Sequence, residues 1–360
     1  MSIITPQSET FLSKYLNNFS PTGFESSGQR LWLDYIQPYI HDWQSDAYGT
    51  VYGIINPEKE FKVVIEAHAD EISWFVNYIS EEGFINIIRN GGSDPMIAPS
   101  KQVVIHTAKC LVNGVFGFPA IHTRSEADNG KFTPKVESIF IDVGAKNKEE
   151  VLEMGVHVGC VATFNDEMSM LNNRWYVGRA LDNRMGGFCI AEVARLLKEN
   201  NIELPFALYI VNSVQEEVGL RGAEMIAQTI RPNLAVITDV THDTGTPMME
   251  AKKLGDVKGG RGPSITYAPS IHYKLLDIVL QAAQEKEIPF QREASSRRTG
   301  TDTDAFAYSN GGVPSVLISL PLRYMHTTVE MAHKEDVENV IRLIYETLLR
   351  IQPDMKFKYL

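Results

Sequence analysis

Five short segments gather acids and histidines where hydrophobic runs end: AHAD at 67–70, RALDN at 179–183, QEEVG at 215–219, TDVTHD at 238–243 and RYMHTT at 323–328. A carboxylate or imidazole taken out of water is costly unless it is paired or binds a metal. Together the segments supply His68, Asp182, Glu216, Glu217, Asp239 and His326, the oxygen and imidazole ligands that two neighbouring divalent metals take. The chemistry they point to is hydrolysis at a two-metal centre.

Each segment also has a plainer reading. In AHAD, Asp70 stands close enough to accept a hydrogen bond from the His68 ring nitrogen that a metal leaves free. The alternative is a solvated acid beside an unrelated histidine. Glu216 and Glu217 should leave their strand in divergent directions. One can then hold a metal while the other faces a metal-bound water as general base; a surface acid pair is the alternative. Asp182 either bridges metals about 3.5–4 Å apart or caps the helix that follows. Asp239 is a ligand or a turn residue.

His242 is near enough in sequence to reach substrate, His122 reads as structural, and His333 flanks the last helix. The glycine-rich stretches 259–263 and 300–304 lack phosphate-loop spacing and read as turns lining substrate. Ser213 sits in no G-x-S-x-G elbow, so the serine-hydrolase motif is missing.

The elements that must position these residues are legible. The apolar runs KVVIEA, PFALYIVNSV, LAVITDV and PSVLISL read as buried strands, and sites in open α/β sheets form beyond the carboxyl ends of strands. Amphipathic helices alternate with them after Trp175, at 185–200, 220–230, 271–286 and 335–351. Two further helices open the chain, at Glu9–Asn18 and Ser26–Tyr39. From Glu71 to Phe164 the texture changes to short alternating runs such as FINIIRN and KQVVIHT, broken by Gly, Asn and Pro turns and one helical piece at 147–155. The expected architecture is therefore an α/β domain with a mostly parallel sheet, built from 1–70 and 165–360, with a small β-barrel inserted at 71–164.

The net charge of −11 argues against nucleic acid, whose phosphates call for clustered Lys and Arg. No apolar run is long enough to span a membrane, and the first residues do not read as a signal peptide. Three cysteines at unrelated spacings suit reduced thiols in the cytoplasm.

Assembled in order, SPTGFE, AHADEIS, IDVGAKNKEEV, RALDNR, QEEVGLRGA, TDVTHDT, GTDTDA and PLRYMHTTVEM resemble the tetrahedral and glutamyl aminopeptidases, co-catalytic metallopeptidases whose relatives are sometimes labelled endoglucanase. The resemblance covers nearly the whole chain. It implies that His68, Asp182 and Asp239 hold one metal, and Asp182, Glu217 and His326 the other. Asp70 would orient His68, and Glu216 would be the base. It also implies Zn²⁺ or Co²⁺ (Mn²⁺ fits the same ligands), short peptides as substrate, and a PDZ-like dimerisation insert in a homo-oligomer, up to a tetrahedral dodecamer. Two positions depart from the family pattern: Asn183 and Cys160 stand where many relatives carry acids. A glycoside hydrolase would need only two carboxylates and leaves His68 and His326 without a role. A metal-free peptide-binding scaffold leaves the whole ligand set unexplained.

Overall fold

The computed structural model describes residues 3–124 and 133–360. The chain forms two compact units. The first is Met1–Glu71, Met168–Met325 and Val329–Leu360; the second is Ile72–Glu167 with His326–Thr328.

The first unit is built on a large mixed sheet flanked by helices. Its centre is parallel, with strand Lys62–His68 lying between Ala207–Ser213 and Leu234–His242 and the latter beside Ser315–Arg323. These strands are covered on both faces, which is why they read as unbroken apolar runs. Antiparallel strands complete both sides: Val51–Ile55 and Asp42–Ser45 beyond Ala207–Ser213, and Glu330–His333, Trp175–Gly178 and Ser169–Leu171 beyond Ser315–Arg323. Asp42–Ser45 and Ser169–Leu171 are exposed throughout, so no apolar alternation marks them in the sequence.

Helix Leu181–Glu199 is more deeply buried than an amphipathic stripe implies: every residue from Leu181 to Arg195 is covered. The N-terminal helices Pro6–Asn17 and Ser26–Ile36 pack on it. The Trp32 indole donates to the Gly187 carbonyl at 2.8 Å. Glu192 and Arg195 tolerate this burial because they pair at 2.8 Å, with Ser8 and Tyr35 donating to the same carboxylate. The second expected opening helix is α-helical over Ser26–Ile36 and tightens to a single 3₁₀ turn over Gln37–Tyr39, where Pro38 intervenes.

The second unit is a closed six-stranded antiparallel barrel in the order Ser73–Ile79, Ile85–Asn90, Phe140–Asp142, Leu111–Phe116, Gln102–His106, Val161–Phe164. Trp74 fills it, edge-on to Phe116 at 5.7 Å and Phe164 at 6.3 Å. Helix Lys148–Glu153 begins where the Asn147 side chain accepts from the Glu150 amide. Cys160 is buried in this core and receives the His157 amide on its sulfur. His122 is exposed in a 3₁₀ turn.

Gly222, at the start of helix Arg221–Ile230, shows how tightly that helix docks on the end of strand Ala207–Ser213. A Cβ there would lie 2.3 Å from the Val214 carbonyl oxygen and 2.6 Å from its nitrogen. Gly222→Ala is expected to destabilise the chain by about 1–3 kcal/mol, because backbone and not a flexible side chain must move. Urea denaturation checks this; an unchanged midpoint would show that the contact relaxes freely.

Candidate functional site

His68 is the last residue of its strand and is buried. Its Nε2 faces Asp182 Oδ1 at 3.2 Å, Asp239 Oδ1 at 3.9 Å and Glu216 Oε2 at 3.9 Å, while Nδ1 faces Asp70 Oδ1 at 3.3 Å. Four separate segments thus meet on one imidazole. Two sets, His68–Asp182–Asp239 and His68–Glu216–Glu217, each present ligand atoms within 4.8 Å of one another.

Asp70 does more than face His68. It is fully buried, and its carboxylate accepts the Glu216 amide at 3.0 Å, the Glu217 amide at 3.2 Å and the Thr22 hydroxyl at 2.8 Å. Glu71 beside it is held by Arg179 and by the Ser20 amide. The strand Ala207–Ser213 has ended before Glu216, and Gln215 turns the chain with a φ of 58°. The expected divergence of Glu216 and Glu217 therefore does not occur. Both stand on a turn, not a strand, with their amides on one carboxylate and their side chains converging on His68.

Helix Leu181–Glu199, which contains Asp182, has Ala180 in its cap position, at a φ of 58° and with no side-chain cap. Asp182 itself is outside helical conformation, at φ −77° and ψ 112°, at a kink in the first turn, and its carboxylate faces His68. Asn183, joined to it by a cis peptide, donates its amide to the Thr238 carbonyl at 2.8 Å. An acid at this position could not donate, so Asn183 ties the helix start to the strand end that carries Asp239.

Burial pushes the Asp239 carboxyl well above its usual range, with His68 opposing and Asp182 adding to the rise. Burial likewise pushes Glu216 up to about 10, against the pull of His68 and with help from Asp302 and Asp239. For His68, burial alone would lower the pKa, but hydrogen bonding to Asp182 and Asp70 outweighs it, and the imidazole rises well above its usual value. Neither Asp239 nor Glu216 has a lysine or arginine partner among the described residues. A crowded carboxylate set around one imidazole, lacking fixed cations, suits divalent metal.

His326 follows strand Ser315–Arg323 by three residues with a φ of 62° and is grouped with the second unit. There its ring fills the space beside Gly92, where a Cβ would lie 2.5 Å from Nδ1. His242 ends its strand exposed, and alternation turns it to the face opposite Asp239. His333 flanks the last helix as expected, edge-on to Trp175 at 4.9 Å.

Stretch 300–304 leads into a short helix. Thr301 caps helix Asp302–Ala307, and Asp302 is buried. The Ser213 hydroxyl lies 2.6 Å from Glu66 Oε1 and 2.9 Å from Asp302 Oδ2. One hydroxyl proton cannot satisfy two carboxylates, and burial plus mutual repulsion lifts Glu66 well above its usual range, so the pair holds a proton of its own. The signal for Glu66 was available as a lone acid inside KVVIEA. Glu25, in the SPTGFE turn, is a further acid missed from sequence. Burial first, then Asp70, pushes it up to about 8.

Comparison with known proteins accords with this arrangement. A model of the M42 glutamyl aminopeptidase family matches residues 49–343. A lysyl aminopeptidase of Pyrococcus furiosus is 32% identical, over 95% of this chain and 97% of its own. The crystal structure of a TET aminopeptidase from the marine sediment archaeon Thaumarchaeota archaeon SCGC AB-539-E09 superposes with a TM-score of 0.92 at 30% identity, covering 97% of each chain. The TET1 peptidase of Pyrococcus horikoshii, which can assemble into a tetrahedron or a large octahedral shell, superposes with a TM-score of 0.84 at 27% identity, covering 96% of this chain and 100% of its own. The family match runs through both units and through all the converging acids and His68, and this chain belongs to the M42 glutamyl aminopeptidase family.

Proposed function

We propose that this chain is a two-metal aminopeptidase that removes N-terminal residues from short peptides. The observation that carries the reading is the convergence of Asp182, Asp239, Glu216 and Glu217 on His68. His68, Asp182 and Asp239 would hold one divalent ion. By the family resemblance, Asp182, Glu217 and His326 would hold the second. Zn²⁺, Co²⁺ and Mn²⁺ all suit imidazole and carboxylate ligands. When bound, the metals supply Lewis acidity at the scissile carbonyl and an acidified water.

The chain's own residues do the rest. Glu216 is partly open, unlike buried His68, Asp182 and Asp239, so it can meet a water and a substrate. It takes a proton from the attacking water and delivers it to the leaving amine. Asp70 positions two parts at once: it faces the His68 ring and fixes the Glu216–Glu217 backbone. Asp70→Asn puts an amide donor where the carboxylate accepts amides, and is expected to weaken metal affinity by about 10–100-fold. Competition with a chromogenic chelator checks this, and unchanged affinity would remove Asp70 from the positioning role.

The barrel unit fits a dimerisation role within a cytoplasmic homo-oligomer, to be read by light scattering of the purified protein. The test of the main reading is hydrolysis of an aminoacyl-p-nitroanilide panel by chelated and by metal-restored protein. Activity that disappears on chelation and returns with Zn²⁺ or Co²⁺ is the expected result. No hydrolysis of any member, with two metals bound per chain, would overturn it.

A further inference from the structure

One carboxylate beyond the metal-ligand set is held ready for a cation that the chain does not supply. Glu293, on strand Gln291–Ala294, accepts the Thr241 hydroxyl on Oε2 at 2.7 Å and the Thr266 hydroxyl on Oε1 at 2.6 Å. Both oxygens are thereby aimed, and the residue is partly exposed. Two cations on neighbouring segments are already engaged. Arg323 is bound to Asp243 at 2.6 Å and Lys258 to Asp256 at 2.8 Å. Arg292 alternates to the other face of its strand, over Phe290. Among the described residues, Glu293 has no ion-pair partner.

Its face of the sheet follows from strand register, and its position along the sheet from the Thr241 hydrogen bond. Asp239 and Thr241 share one face of strand Leu234–His242, and Asp239 is aligned with Ser319. Ser319 pairs with Ser264, and Thr266, two residues on, pairs with Glu293. Glu293 therefore stands on the Asp239 face of the sheet, tied to a residue about 7 Å further along the strand from Asp239. That offset is comparable to the reach of an extended lysine or arginine side chain.

We propose that Glu293 is a specificity-determining residue that receives the cationic side chain of a lysine or arginine at the peptide N-terminus. The proposal rests on the aminopeptidase reading, since it takes the N-terminal residue to lie beside Asp239. Glu293→Gln is the discriminating variant. Its amide still accepts from one threonine and donates to the other, so the tie between strands is kept and only the charge is removed.

The experiment measures kcat/KM of the metal-loaded protein and of Glu293→Gln on Lys-, Arg-, Leu- and Glu-p-nitroanilide. The wild type should favour the basic substrates over Leu, and Glu293→Gln should lower kcat/KM on Lys and Arg by about tenfold or more, mainly through KM, with Leu unchanged. An equal loss on all substrates would make Glu293 only a strand tie, and no change on any would remove it from recognition; either result overturns the proposal. If the wild type cleaves none of the four, the aminopeptidase reading has failed separately. Calorimetric binding of lysine amide against norleucine amide then decides for Glu293. A preference for lysine amide that Glu293→Gln erases supports it, and equal binding overturns it.

Discussion

Glu216→Gln is expected to lower kcat by about 10²–10⁴-fold, the range that a positioned general base contributes, while both metals stay bound. The substitution keeps the shape of the side chain and the backbone amides on Asp70, so the turn that carries Glu217 is undisturbed. Only the ability to take a proton is lost. Steady-state kinetics and metal content measured on the same preparation check this. Normal kcat would move the base elsewhere, and loss of metal together with activity would make Glu216 a ligand.

The second large effect is expected from removing the metals. Activity should fall to background, and the folded state should lose about 4 kcal/mol for each site emptied, about 8 kcal/mol for both, relative to protein held at a thousandfold excess of metal over Kd. The chain left behind should also respond differently to pH. In the metal-free protein, Glu216 holds its proton to about pH 10 and Asp239 is raised as well. The unfolded chain gives up both protons near ordinary carboxyl values, so the unfolded state binds fewer protons over the interval. Stability of the metal-free protein should therefore decline as pH rises from about 4.5 toward 10. Metal-loaded protein should not follow that decline, because the ligands are already ionised and metal affinity grows as their protons leave. Thermal melts across pH, with and without chelator, test this; parallel curves would show that the acids are not metal ligands.

Much of this site could be read before any coordinates because of where strands stop. His68 and Asp239 end apolar runs, and parallel strands bring such ends to one rim. Turn geometry was less accessible. Nothing in QEEVG announces that Gln215 takes a left-handed conformation, and that one dihedral decides whether the two glutamates diverge or converge. Asp182 was ambiguous because a carboxylate ahead of a helix is most simply a cap until its approach to His68 is seen. Asp302 was hidden because its partner, Ser213, joins residues far apart in sequence, whereas Glu66 stood out as a lone acid inside an apolar run. For the fold, the buried parallel strands were plain, whereas exposed Asp42–Ser45 carries no apolar period at all.

The central position of strand Lys62–His68 has a consequence for how the protein is made. Both of its neighbours, Ala207–Ser213 and Leu234–His242, come more than a hundred residues later in the chain. At translation speeds of about 5–20 residues per second, this buried segment waits roughly seven to thirty seconds without a strand on either side. The barrel, whose strands all lie within 73–164, can close during that interval. A ribosome-bound chain thus carries a finished barrel beside an unpaired, aggregation-prone strand. Chaperone dependence of synthesis should accordingly track the delay before residue 207 emerges and not the stability of the finished fold.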